Sequence, residues 1–180
     1  MNKNIKIVEG DITQCPEGIN VIMHQANTQN VMGAGVALAL RNKWPKVFEA
    51  DTRIHDRYKN IAANLKVSVP EYLLGRFSVT TWFPKDDGGL VRVFNLYGQH
   101  LNSASLAGHP TDYNAVFIGM KRVAVALKII TEREGVEIIL GIPYLMGCGL
   151  AGGDWNIYSS IINTVFGNLP YKVVIVKFVA

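Results

Sequence analysis

Two glycine-rich segments of this chain carry the residue types that bind phosphate through the main chain. The first is His24-Gln25-Ala26-Asn27-Thr28-Gln29-Asn30-Val31-Met32-Gly33-Ala34-Gly35-Val36-Ala37. The second is Pro143-Tyr144-Leu145-Met146-Gly147-Cys148-Gly149-Leu150-Ala151-Gly152-Gly153-Asp154-Trp155. Each follows an apolar run that reads as a buried strand and precedes a run that reads as a helix. Glycine lets backbone N–H groups approach an anion closely, and the helix N-terminus adds a favourable dipole potential. A single Gly-x-Gly before a helix is often only a tight turn. Two of them at matching positions point to a diphosphate held between the loops, beyond the carboxyl ends of strands where open α/β sheets bind ligands.

A few polar side chains stand close to these segments. His24 follows the apolar run Ile19 to Met23, either as an acid–base group beside the first loop or as a core histidine with its hydrogen bonds satisfied. Asn27 precedes the Gly33-Ala34-Gly35 turn, and Asp11 follows Gly10 after the first apolar run. Asp154 opens a helix after Gly152-Gly153, where an aspartate serves as an N-cap or, in a cleft, orients water. Met32 and Met146 each precede a loop glycine and are better suited to core packing than to ligand contact.

Other phosphate and metal motifs fail on inspection. The chain has no GxxxxGK[ST], so it has no P-loop. The first loop has GxG, but Ala37-Leu38 lacks the third glycine and no acidic residue follows about 20 positions later on a strand end, as a Rossmann site needs. His24, His55, His100 and His109 show no helical pairing, and Cys15 and Cys148 have no ligand-spaced partner. No metal and no organic cofactor are therefore implied.

The elements that must position these loops can be read from periodicity. Ile5 to Val8 and Ile19 to Met23 read as strands, the second buried on both faces. Val36 to Arg41 reads as a helix broken at Trp44-Pro45, with a second helix from Pro45 to about Lys59. Gly75 to Phe83 and Leu90 to Leu96 read as two strands joined by the turn Pro84-Lys85-Asp86-Asp87-Gly88-Gly89, which makes the sheet mixed. A Ser/Gly/Pro-containing loop from His100 to Thr111 leads to a long helix over Asp112 to Glu134. Glu137 to Ile142 is a buried strand, Trp155 to Phe166 a helix and Tyr171 to Val179 a closing strand. Strands alternating with helices imply one α/β domain over residues 1–180, with helices on both faces of the sheet.

The string Asn27-x4-Met32-Gly33-Ala34-Gly35-Val36-Ala37, together with Gly10-Asp11-Ile12 and Gly147-Cys148-Gly149-Leu150, resembles the macrodomain superfamily along the whole chain. The resemblance implies a three-layer α/β/α macrodomain with a mixed, mostly parallel central sheet, and a pocket for ADP-ribose. Within the superfamily, MGAGVA and GCGL are similar to the branch of ADP-ribose-1″-phosphate phosphatases and some deacylating ADP-ribosylhydrolases.

By that resemblance Asp11 and the Ile12 amide contact adenine, and Phe178 lies beside the ring. Gly33, Ala34 and Gly35, flanked by Met32 and Val36, pass under the distal ribose, which Asn27 orients. Gly147, Cys148, Gly149 and Leu150 wrap the diphosphate, with Tyr144 and Met146 lining the same loop. His24, Asn27 and Asp154 become the catalytic candidates, His24 or Asp154 activating water or protonating the leaving oxygen. A valine at Gly35 is then expected to block the ligand at little cost in stability. Relatives that cleave ADP-ribose from glutamate carry a lysine and an aspartate where this chain has Tyr97-Gly98-Gln99 and Ala151. Tyr97 and Gln99 are expected to line the pocket instead, with a purely structural role as the alternative for Gln99.

Composition narrows the partners. The net charge is +4, but the lysines and arginines form no run, which argues against a nucleic-acid face and suits a small anion held by amides. No apolar stretch is long enough to span a membrane, and the first residues carry no signal-peptide core. With only two cysteines, the expectation is a cytoplasmic monomer without disulfides. Three functions follow from the resemblance: hydrolysis of ADP-ribose 1″-phosphate to ADP-ribose and phosphate, binding of ADP-ribose or ADP-ribosylated protein without turnover, and removal of ADP-ribose from protein.

Overall fold

Runs of β-branched and other apolar residues build the sheet seen in the computed structural model, which describes residues 3–100 and 111–179. Its strands are β1 (Ile5–Glu9), β2 (Val21–Asn27), β3 (Phe77–Val79), β4 (Phe83–Pro84), β5 (Leu90–Gln99), β6 (Ile139–Pro143) and β7 (Lys172–Lys177). The helices are α1 (Gly35–Lys43), α2 (Lys46–Asn64), α3 (Val69–Leu73), α4 (Tyr113–Glu134) and α5 (Trp155–Phe166). The strand order is β1-β7-β6-β2-β5-β3, with β4 paired to β5. Pairs β1–β7, β7–β6, β6–β2 and β2–β5 are parallel, while β3 and β4 run antiparallel to β5.

All seven residues of β2 are buried, because helices cover both faces of the sheet. On one face Met23, Leu140 and Ile175 pack with Val116 and Met120 of α4 and Ile162 and Phe166 of α5. On the other, Ile22, Val93 and Val174 pack with Leu40 of α1, Trp44 at its C-cap and Val47 at the start of α2. These are the three layers expected. Helix α4 starts at the Asp112 cap, whose side chain accepts from the Ala115 N–H, and ends at Gly135 with φ +66°.

Some elements differ from their sequence expectation. The expected strand Ile19–Met23 begins later and runs on to Asn27, because the polar residues His24, Gln25 and Asn27 all find hydrogen-bond partners there. The expected run Gly75–Phe83 splits into β3 and β4. At the split the Val93 N–H donates to the Thr80 hydroxyl at 3.0 Å, a side chain standing in for the ladder carbonyl. Helix α3 was not expected, yet Ser68 and Glu71 form a capping box at its start. Of the loop between His100 and Thr111, residues 101–110, including His109, lie outside the described residues.

Candidate functional site

Beyond the carboxyl ends of β2, β5 and β6 the two glycine segments face each other across a cleft of about 470 Å³. Residues 24–27 with Gln99 form its floor, residues 33–37 with Val31 one wall, and residues 143–147 and 149–151 the other. No aspartate or glutamate is among the described lining residues, so nothing there repels an anion.

The first wall is shaped by Asn27. Its Oδ1 accepts from the N–H groups of Gln29 (2.9 Å) and Val31 (3.4 Å), and its Nδ2 donates to the Val31 carbonyl at 2.6 Å. This closed turn sends the chain back toward α1. Ala34 takes the N-cap position of α1 and supplies no side-chain cap. The N–H groups of Gly35, Val36 and Ala37 have no hydrogen-bond partner among the described residues, and they open on the cleft. An uncapped helix N-terminus is a place for an anion. Gly35 itself has φ +55° with nothing within 4 Å of a built Cβ. The expectation that valine is cheap at this position is therefore corrected: the space is open, but a β-branched residue is strained in this left-handed conformation.

The second wall is a turn that depends on glycine in two places. Gly147 has φ +73°, and a Cβ on it would run into the Tyr158 hydroxyl and, at 2.8 Å, into Gln25 Oε1. The Gly153 N–H closes the turn onto the Gly147 carbonyl at 2.8 Å, and a Cβ on Gly153 would meet that carbonyl oxygen at 2.7 Å. The N–H groups of Gly147, Gly149, Leu150 and Ala151 have no partner among the described residues. Unpartnered main-chain donors thus stand on both walls.

Of the residues singled out from sequence, His24, Asn27, Gly33, Ala34, Gly35, Val36, Tyr144, Met146, Gly147, Gly149 and Leu150 line this cleft. Six others do not. Met32 is 1% exposed, inside the core beneath α1. Cys148 turns its thiol toward the Met146 carbonyl, and burial pushes its pKa up. Ile12 is buried in the same core as Met32, and Asp11 caps the short 3-10 turn Ile12–Gln14 by accepting from the Thr13 N–H at 2.8 Å. Phe178 lies past the end of β7 and is 69% exposed, so it is not a core aromatic. The Gly10 N–H donates to the Lys177 carbonyl, and the Tyr144 N–H to the Val176 carbonyl, so Phe178 lies just past the end of β7, the strand beside β6 and the second wall, and Asp11 just past the end of β1, one strand further out.

Asp154 is an exposed N-cap of α5. Its carboxylate accepts from the Asn156 N–H at 2.7 Å, and its own N–H donates to the Tyr113 hydroxyl. Its alanine variant is expected to lose about 1 kcal/mol of stability in chemical denaturation while keeping full affinity for whatever fills the cleft.

His24 is the fourth residue of β2, not a residue after it, and is 1% exposed. Nε2 lies 2.7 Å from Asn95 Oδ1. The Asn95 amide nitrogen donates to the Val47 carbonyl and the Ser78 hydroxyl, which turns its carbonyl toward the ring and fixes the proton on Nε2. Burial holds the imidazole pKa below its ordinary value, so the ring is neutral.

Tyr97 does not line the cleft: its hydroxyl donates to Asp51 Oδ1 at 2.5 Å, within a separate cluster under α2 and α3. Burial raises the pKa of both groups. Gln99 does line it.

Gln25 is the residue that sequence reasoning missed. Its Nε2 donates to Gln99 Oε1 (2.7 Å) and reaches the Thr111 hydroxyl at 3.3 Å, while its Oε1 accepts from the Tyr158 hydroxyl. Thr111 in turn donates to the Ala151 carbonyl at 3.0 Å, tying the floor to the second wall. An amide in the middle of an apolar strand was the available signal, since a buried polar group must be bonded.

No family model matches the chain. The uncharacterized 17.5 kDa protein in the tk-vs intergenic region of Enterobacteria phage T4 is 28% identical over 171 residues, 94% of this chain and 95% of that protein. Among solved structures, a Bacteroides thetaiotaomicron protein of unknown function superposes with a TM-score of 0.73 at 26% identity, over 97% of this chain and 98% of that one. Thermosipho africanus DarTG, determined in complex with ADP-ribose, superposes with a TM-score of 0.68 at 18% identity, over 97% of this chain and 42% of that one. A macrodomain protein from Streptomyces coelicolor gives 0.65 at 24% identity, over 98% and 99% of the two chains. With its strand order, its two helical layers and its paired glycine loops, this chain has the macrodomain fold.

Proposed function

We propose that the cleft binds ADP-ribose, with the diphosphate between the two glycine walls and the distal ribose over Gly33, Ala34 and Gly35. One observation carries the reading: the uncapped N-terminus of α1 faces the free amides of residues 147–151 across a cleft lined by no described carboxylate. Amides and a helix dipole aimed at one point favour a doubly charged group. The exposed Phe178 ring and Asp11, which follow the ends of the adjacent strands β7 and β1, suit an adenine lying outside the second wall. The fold shared with ADP-ribose-bound DarTG supports the same ligand class.

Hydrolysis of ADP-ribose 1″-phosphate is the second reading, and it rests on His24. A neutral imidazole in the cleft floor is in the protonation state of a base. Against it, both ring nitrogens already face oxygen atoms, Asn27 is held by its own turn, and Asp154 is used by its helix. Binding without turnover, of ADP-ribose or of an ADP-ribosylated protein, is the function that the geometry supports best.

ADP-ribose is expected to raise the melting temperature, by an equivalent of about 2.7 kcal/mol at a hundredfold excess over its dissociation constant. AMP should stabilise less, because it leaves the first wall unfilled. No shift at millimolar ADP-ribose removes the proposal. The same samples, given ADP-ribose 1″-phosphate or an ADP-ribosylated protein, separate the readings. Phosphate release supports the phosphatase, ADP-ribose release the protein hydrolase, and binding with neither product the binding module.

A further inference from the structure

At the β3 edge of the sheet, α2, β3 and α4 border a second groove of about 430 Å³ that shares no lining residue with the cleft. Its charged lining consists of Arg53 and Arg57, one turn apart on α2, Arg76 just before β3, and Arg122 on α4. Tyr58 and Phe77 lie among them, and no carboxylate is among the described lining residues. None of the four arginines is paired with a carboxylate among the described residues.

The guanidinium groups are not all loose. Arg76 donates through Nε to the Tyr72 carbonyl at 2.8 Å and stacks 4.1 Å above the Tyr72 ring, which leaves its two terminal nitrogens free. Arg122 donates one terminal nitrogen to the Gly75 carbonyl at 2.6 Å. Two forks are thus set in place by main-chain carbonyls, and the exposed Arg53 and Arg57 face them from α2. Four like charges around one groove raise one another's energy until an anion enters. The guanidinium fork matches phosphate oxygens in a bidentate way, and aromatic rings between such forks offer a face to a base. The groove volume is within the range of small-molecule sites.

We infer that this groove is a second site, selective for the phosphate groups of a nucleotide, either free or within a single-stranded nucleic acid. The Arg53–Arg57 pair, Arg76 and Arg122 come from three separate stretches of the chain and meet only through the packing of α2 and α4 on either side of β3.

The test uses fluorescein-labelled hexathymidylate, ATP and a labelled hexaglutamate peptide at low salt, with the full chain. The variant Arg53→Ser/Arg57→Ser is compared with Lys128→Ser/Lys172→Ser, which removes the same charge from exposed positions outside the groove. The arginine pair should weaken the phosphate probes by roughly tenfold or more, and the lysine pair by no more than about twofold. ADP-ribose binding at the cleft should be equal in both variants, so failure here is separable from failure of the cleft reading. If ATP saturates the groove with the same arginine dependence, the ligand is a free nucleotide. If only hexathymidylate does, with affinity falling steeply with salt, it is a nucleic-acid strand. Equal effects of the two variants on the phosphate probes, or hexaglutamate binding as tightly as those probes, overturn the inference.

Discussion

Replacing Gly149 with valine is expected to weaken ADP-ribose binding by about a hundredfold or more while leaving the melting temperature nearly unchanged. Gly149 lines the cleft, and its φ is outside the left-handed region. A Cβ on it meets nothing within 4 Å, so a side chain is accommodated without strain when the cleft is empty. With ligand present the added methyl groups occupy the wall that the diphosphate must approach. Losing two hydrogen bonds to a charged phosphate, at about 1.5–3 kcal/mol each, accounts for that magnitude. The neighbouring glycines do not allow this separation. Gly35 and Gly147 have positive φ, and Gly147 is also packed against Tyr158 and Gln25, so variants there weaken the fold together with binding. Calorimetric titration and thermal melting of Gly149→Val decide the matter. Unchanged affinity would place the ligand elsewhere.

Replacing His24 with alanine is expected to destabilise the chain by about 2–4 kcal/mol. Two causes act together. The imidazole is almost fully buried, so its loss leaves a cavity, and Asn95 Oδ1 loses its donor. Acid unfolding supplies an independent check on this assignment. Burial lowers the folded-state pKa of His24 below the value of about 6.5 found in an unfolded chain. As the pH drops, the unfolded chain therefore takes up this proton first. The contribution is complete above about pH 6.5 and is lost as the pH falls through that value toward the folded pKa. Urea titrations across this range should show a shallower loss of stability in His24→Ala than in the native chain. If His24 also works on a substrate, phosphate release per folded molecule falls by about 10²–10⁴-fold. A purely structural histidine leaves it unchanged.

Much of this architecture is legible from local chemistry. Trp155–Phe166 has the helical bounds that its periodicity and the Asp154 cap dictate, and the turn at residues 84–89 pairs β4 with β5 through the Lys85 N–H to Gly89 carbonyl bond. The glycine loops are legible too, because a positive φ or a close approach leaves a glycine in the sequence. What escapes is whatever depends on a partner far along the chain. Strand β2 continues through His24 and Gln25 because Asn95 and Gln99 satisfy them, and neither partner is visible from the local pattern. Tyr97 turns to Asp51 rather than to the cleft for the same reason. Helix α3 is different: Ser68 and Glu71 announced it, and the box was legible in the sequence.

The most direct measurement is the backbone amide spectrum of the isotope-labelled chain during titration with ADP-ribose. Binding between the two walls predicts the largest changes at Gly35, Val36, Gly149 and Leu150, with amide protons moving downfield as they donate to phosphate oxygens. Changes at Asp11 and Phe178 should accompany them. Saturable binding that leaves the amides of both glycine loops unmoved would contradict the placement of the ligand in this cleft.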